Sequence, residues 1–585
     1  SAKPAKTTAS AVKAQSVAFA LRYQGLLLDY VLWSDEIEGI VAARMLVAGG
    51  TLYQDVFNHH GPLKFLTTYA LELFGPAEIE SHRLAISALQ GVALVALYLS
   101  PLFRDGFVRR LYVIAAASIM LLHLPELYGH MVKYQALAGL LLMIILAQYS
   151  LIALCCPERM TPARAAIGNL LIACLPALAF TYAPLALILF GISLSRAQFW
   201  SSLAGLALGI ALNIGFLAWI GSISGYAVYH IYFNLRVFSQ FATGGIGVDL
   251  IRQSFIHATS GKLMFLQAVV AILIFVVLAR REPGMPWRSG LLILGLGSLL
   301  IRGPGFQALP YHYAMLVLPA VAIGALSLPD LRTRLAAMLL PLVCLAKVSL
   351  LIPPEIDRLD WRRMPAETAF SHLARTMTEP GEPILSYPFQ NEDYQRAGRP
   401  PASGAFFYLP WQALYDRDPV PGFEFHPCRD IAATRPRVMR IEPSESTGWQ
   451  AYPDCLRQIA EWEYLRLPET SYYLRNDILV NRRAVLEGLS DPPPLQAVEE
   501  ASLPVPPAAI RVSVLTDAQS PKSSGAELVR RYVDIDLLAA STGPLRLGAI
   551  PDRRYLALAG DRPQACAIFW FADRRGQATP GCPLW

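Results

Sequence analysis

The stretch Trp33-Ser-Asp-Glu-Ile-Glu-Gly-Ile-Val-Ala-Ala-Arg-Met-Leu-Val-Ala-Gly-Gly-Thr-Leu-Tyr-Gln-Asp-Val-Phe-Asn-His-His-Gly-Pro-Leu63 gathers Asp35, Glu36, Glu38, Asp55, His59 and His60 between strongly apolar flanks. Acids are costly at membrane depth unless they face a cavity, an ion or a partner, so such a cluster reads as a functional site. It reads equally as a loop that is polar because water touches it.

Outward from that stretch the chain is apolar over most of its first 352 residues. Apolar residues make up 54% of the 585, charged residues only 16%, and the mean hydropathy is +0.38. Several segments approach the roughly 20 residues that span a bilayer, so the chain reads as a polytopic α-helical membrane protein. The net charge of +6 is modest, and without a basic block or nucleic-acid motif it implies no nucleic-acid partner. No Ala-x-Ala-like site follows a clean apolar core, so no cleaved signal peptide is expected.

A first span over residues 12–33 is interrupted by Arg22 and Asp29. Further spans are expected at 84–103, 111–127, 134–154, 166–181, 184–195, 201–220, 263–280, 290–301, 311–328 and 335–352. Arg104, Arg109, Arg110, Arg159, Arg164, Arg196, Arg281, Arg288, Arg332 and Arg334 fall in alternate loops, on the side of Lys3, Lys6 and Lys13. The positive-inside rule makes that side cytoplasmic. About 11 spans then put the acidic stretch, Pro125–Lys133, Gly221–Lys262, Arg302–Tyr311 and everything after Pro353 outside the cytoplasm. Leu63 to Phe74 has helical periodicity ending at Phe74-Gly75-Pro76, which suits a helix at the membrane interface. The aromatic loop Gly221–Lys262 suits an interfacial belt.

From Pro353 prolines, charges and short alternating runs take over. Ile384-Leu-Ser-Tyr, Arg437-Val-Met-Arg-Ile and Tyr472-Tyr-Leu-Arg predict strands, and Asp454 to Trp462 predicts a helix. The domains expected are 1–352 in the membrane, an extracytoplasmic α/β unit over 353–490 and, past a proline-rich linker, a β-rich, sandwich-like module over 491–585. Strands at Ile510–Leu515, Arg531–Leu537, Tyr555–Ala559 and Ala567–Phe571 would build that module, which could bind glycan or nothing. Outside the cytoplasm, Cys428–Cys455 and Cys566–Cys582 are plausible disulfides among three possible connectivities.

Asp35-Glu36, Ala43-Arg44, Gly49-Gly50, Tyr53, Asp55, His60-x-Pro62-Leu63, Phe74-Gly75 and Arg83-Leu84 occur in an order that resembles the first loop of the GT-C glycosyltransferases. Protein O-mannosyltransferases and lipid A aminoarabinose transferases are the nearest likenesses. The likeness is specific over 30–90 and looser to about residue 350, through Arg302 and Tyr311 to Pro319. It implies a GT-C membrane fold and an enzyme of the bacterial inner membrane. Such an enzyme moves a sugar from a polyprenyl-phosphate donor to a glycan, lipid A or protein acceptor on the periplasmic face.

On that resemblance Asp35 is the catalytic base and Glu36 orients Asp35 or an acceptor group. Asp55, His59, His60, Arg83, Lys133 and Arg302 are expected around the donor. With no separate nucleophile evident, a single inverting displacement is expected, although Asp55 is available as the second carboxylate that a retaining reaction needs. The sequence departs from the family in two places. Tyr134-Gln135 stands where relatives often carry an acid, and Tyr182 where many carry lysine. No metal and no cofactor are expected. A transporter of lipid-linked sugars and a non-catalytic glycan-assembly protein are the rival readings.

Overall fold

A computed structural model describes, in the main, residues 22–103, 106–242, 286–299, 367–442, 452–466 and 470–475, with the backbone of strands between 502 and 581. The chain divides into two compact units, Ser1–Met364 and Pro365–Trp585.

The first unit is helical. Residues 22–28 close a short helical piece, and then come α1 (Ser34–Val47), a 3-10 turn Pro62–Phe65 running into α2 (Leu66–Glu72), α3 (Ile79–Tyr98) and α4 (Gly106–Glu126). They are followed by α5 (Tyr134–Ile145), a π turn Leu146–Ser150, α6 (Leu151–Cys155), α7 (Pro162–Leu178), α8 (Ala183–Ser193), α9 (Phe199–Ile220) and α10 (Pro286–Ser298). Helices thus occupy most of the described positions of the expected spans, though not residues 29–33 of the first or 99–103 of the second. Those at 263–280, 311–328 and 335–352, and Arg302, lie outside the described residues.

Two of the described helical runs, Tyr134–Leu154 and Arg196–Ile220, are long and apolar enough to cross a membrane. The first is mostly buried. The second turns Trp200, Leu208, Ile210, Leu212, Ile214 and Trp219 outward, an apolar face that water would not tolerate but lipid would. Its other face lies on α7 through Gly205 and Gly209. A Cβ on Gly205 would sit 2.0 Å from the Ala166 carbonyl oxygen, and one on Gly209 2.7 Å from that of Leu170. Only glycine lets two helices approach so closely.

Local chemistry sets the ends. Pro162 opens α7 behind Thr161, whose hydroxyl accepts from the Arg164 amide. Gly75, at φ +117°, ends the α2 turn where the sequence predicts a stop. The expected loop after Gly221 proves helical instead: Ile223–Gly225, π turns at Tyr226–Tyr232 and Asn234–Phe238, then Ser239–Ala242. Its Tyr229 and Phe233 pack edge-on against Phe57, which turns part of the presumed belt into wall for the loop below.

In the second unit α11 (Ala369–Met377), α12 (Asn391–Ala397), α13 (Pro410–Asp416), α14 (Pro427–Thr434) and α15 (Asp454–Glu463) accompany β1 (Leu385–Tyr387), β2 (Val438–Ile441), β3 (Tyr464–Arg466) and β4 (Tyr472–Arg475). The sheet order is β1-β2-β4-β3, with β1 and β2 parallel and the other pairs antiparallel. Buried Asp393 accepts from Thr368 Oγ1 at 2.6 Å and from Ser386 Oγ at 2.5 Å, and pairs with Arg440 at 2.9 Å, fastening α11, β1 and β2 together. Cys428 and Cys455 form a disulfide between α14 and α15. Cys582 lies outside the described residues. Further strands are β5 (Ser502–Pro504), β6 (Ala509–Thr516), β7 (Arg531–Leu538), β8 (Pro544–Arg546), β9 (Arg553–Ala559), β10 (Cys566–Ala572) and β11 (Ala578–Gly581). They form an antiparallel sheet β11-β10-β9-β6-β7 and a separate pair β5-β8.

Candidate functional site

Trp33 is extended and α1 begins after it, so Asp35 and Glu36 fall in the first helical turn, where the dipole favours carboxylates. Neighbours on a helix point about 100° apart, and these two diverge: Glu36 is fully buried, whereas the Asp35 side chain is 34% exposed.

Glu36 meets Arg83 of α3. The guanidinium gives Nε to Oε1 at 3.0 Å and Nη2 to Oε2 at 2.6 Å, a paired contact between two groups with no solvent exposure. Its remaining N–H groups donate to the carbonyls of Leu27, Leu28, Tyr30 and Val31. Glu36 also accepts from the Val132 amide at 3.2 Å. This corrects two expectations. Arg83 is closed inside the protein with its donors engaged, so none is left for a phosphate. Glu36 binds Arg83 and the chain before α5, so it fixes the start of α1 and leaves Asp35 alone. Burial forced this pairing, because either charge alone would be expensive at such a position.

Asp35 is held by Lys133, whose Nζ lies 3.0 Å from Oδ2 and 5.2 Å from the ring centre of Trp33. Burial works against ionisation of Asp35 and Glu38 adds to that, but Lys133 together with Lys64 outweighs both, holding the carboxyl below its ordinary value. One turn on, Glu38 points to the same side and forms a second, buried ion pair with Lys64 at 3.1 Å. The Asn58 amide donates to Glu38, and its oxygen accepts from the His60 backbone amide at 3.0 Å. His60 Nδ1 lies 3.0 Å from that oxygen, 3.3 Å from Lys64 Nζ and 3.6 Å from Glu38. Asp35, Glu38, Lys64 and Lys133 therefore form two pairs whose formal charges cancel.

His59 turns the other way, its ring among Phe57, Phe233 and Phe238 and stacked on His60 at 4.2 Å. Its carbonyl accepts from His230 Nδ1 at 3.0 Å and from Asn234 Nδ2 at 2.6 Å, so the helical stretch after Gly221 grips the loop by its backbone. Burial pushes both histidines well below the usual imidazole range, each also feeling a neighbouring positive group or ring: His60 for His59, Lys64 for His60. Asp55 is exposed and accepts from the Thr51 amide at 2.9 Å. It orders the turn 51–56.

The structure thus brings Asp35, His60 and Lys133 together around α1, with His59 behind them, while Glu36 and Arg83 pair in the interior and Asp55 bonds within its own turn. Sequence reasoning passed over Lys64 and Asn58 and gave Glu38 no role. A signal existed for Glu38 in the helical spacing, since it follows Asp35 by three and so shares its face of α1; His60 precedes the 3-10 turn that carries Lys64, and no helical spacing joins those two.

No protein-family model and no curated protein matches the sequence. Among solved structures the chain is similar to ArnT from Cupriavidus metallidurans in the apo state, at 13% identity and a TM-score of 0.50, over 80% of this chain and 98% of that one. It is also similar to the archaeal oligosaccharyltransferase AglB from Archaeoglobus fulgidus, at 11% identity and a TM-score of 0.36, over 73% of this chain and 69% of that one.

Proposed function

We propose, from the premise that this chain has the GT-C fold of the lipid A aminoarabinose transferase ArnT, that it is an inverting glycosyltransferase of the membrane. The donor is a polyprenyl-phosphate sugar. The acceptor is a hydroxyl on lipid A or core oligosaccharide, on a surface polysaccharide or on a protein. The observation that carries this reading is Asp35: an ionised, one-third-exposed carboxylate at a helix start, beside Lys133 and His60.

Asp35 takes the acceptor's proton as the hydroxyl oxygen attacks the anomeric carbon. The sugar–oxygen bond to the phosphate breaks in the same displacement, and Lys133 and His60 stabilise the phosphate as it departs. Asp55, the carboxylate that a retaining path would use, sits in its own turn, which favours inversion.

The placement of the reaction is part of the proposal. The arginine-rich loops lie on the cytoplasmic side, and the acidic stretch with everything after Pro353 on the periplasmic side of a bacterial inner membrane. The Cys428–Cys455 disulfide suits an oxidising compartment. In this arrangement residues 1–352 carry the reaction, 353–490 form the α/β domain and 491–585 the β-rich module.

The test is transfer from a radiolabelled polyprenyl-phosphate sugar pool into membrane acceptors, comparing wild type with Asp35→Asn at equal abundance. Loss of the base lowers the rate by roughly 10²–10⁴ while the donor still binds. Equal rates would reduce Asp35 to a loop acid. Lipid passage across the membrane without sugar transfer would point to a transporter.

A further inference from the structure

His60 is held from one side only. Nδ1 lies against Asn58, Glu38 and Lys64, whereas Nε2 makes no hydrogen bond among the described residues, and the side chain keeps 14% of its surface open. Every charged group around it already has a partner: Glu38 with Lys64, Asp35 with Lys133. An anion arriving at this face therefore finds no unbalanced positive charge among these groups. His60 is the ring in contact with this array that can still become a cation.

We propose that His60 is a proton-linked receptor for a phosphate ester: it takes up one proton as the anion settles against Nε2. This rests on the phosphate-linked donor of the proposed function and adds how the site's charge is supplied. The groups that decide the protonation come from every element packed on the ring, beginning with the His59 ring stacked on it at 4.2 Å, which disfavours a second positive charge. Asp35 and Glu38 of α1 favour the cation. Lys64 of the 3-10 turn, Lys133 before α5 and His230 of the stretch after Gly221 disfavour it, and the Tyr134 ring lies at 4.9 Å. Burial first, and then Lys64, lower the ring's proton affinity well below the usual imidazole range. A phosphate oxygen beside Nε2 adds a negative charge at hydrogen-bond distance, which is the change that favours imidazolium. The proton comes from solvent and forms one N–H bond, leaving the imidazolium with a proton on each nitrogen: Nδ1–H donates to the Asn58 oxygen and Nε2–H to the phosphate, and no bond between heavy atoms changes.

The experiment is calorimetric titration of the whole protein in micelles with a prenyl methyl phosphodiester, a probe whose single charge does not vary near neutrality. Measurements at one pH in two buffers of different ionisation enthalpy count the protons taken up. Wild type takes up close to one proton at a pH between the free-state and bound-state pKa values of the ring, and across that interval its affinity falls about tenfold per pH unit, levelling off above it. His60→Gln binds more weakly, takes up none and shows a flat pH profile. Wild-type binding without proton uptake overturns the proposal, as does undiminished uptake in His60→Gln or no binding of the probe at all. The wild-type proton count needs no variant to fold. Sugar transfer is not read here, so a chain that takes up the proton yet transfers nothing would refute the glycosyltransferase reading and leave this site standing.

Discussion

Arg83 separates two ideas of this site, and replacing it with methionine decides between them. In the structure Arg83→Met removes the partner of a fully buried Glu36 and the donors to four carbonyls between Leu27 and Val31. Breaking a buried ion pair from one side costs about 3–5 kcal/mol, mostly the cost of stranding the remaining charge. The carbonyl losses overlap with that figure, because the same guanidinium serves both. Denaturant titration in mixed micelles, read by tryptophan fluorescence, should show this loss in Arg83→Met. The double variant Glu36→Met with Arg83→Met should recover part of it, since no charge is then stranded. Were Arg83→Met as stable as wild type but unable to bind the lipid donor, Arg83 would be a phosphate ligand after all, and its enclosure as described would be wrong.

Two further outcomes follow from distances on the same face. Lys133→Met leaves Asp35 to burial and to Glu38, both of which push its carboxyl up, with Lys64 alone opposing them. With the lysine present the folded-state pKa lies below the ordinary value of about 3.9, so the working anion persists above that pH and is lost only as pH falls further. The variant's acid limb should move to higher pH in a pH–rate profile, and an unmoved limb would remove Lys133 from the control of Asp35. Gly61→Ala would place a Cβ 2.1 Å from the Ala177 carbonyl oxygen. The loop must lift off α7, with a loss of about 1–3 kcal/mol and weaker donor binding as His60 moves. Unchanged stability and binding would show that this contact does not position His60.

What the sequence made legible was local. Polar residues packed between apolar flanks drew attention to 33–63, Gly75 stopped the helix it was expected to stop, and β-branched and aromatic runs predicted β1, β2 and β4. The pairings were not legible, because they bridge distant positions. Nothing near Glu36 in the sequence points to Arg83, 47 residues on, and nothing near Asp35 to Lys133, 98 residues on. Arginine and histidine both looked like phosphate ligands until their surroundings were seen: one has its donors engaged, the other has a nitrogen open. The stretch after Gly221 failed for a different reason. Tyr226, Tyr229 and Phe233 recur at three and four residues, the ordinary helical period, and the reading of an interfacial belt overrode that signal.

The grip of Arg83 on residues 27–31 and on Glu36 also has a meaning in time. Every partner it uses precedes it in the chain, so the start of α1 can be fixed once α3 has left the ribosome. Lys133 then arrives as a latch on a carboxylate already in place. The acid–base centre is thus drawn from the first 133 of 585 residues.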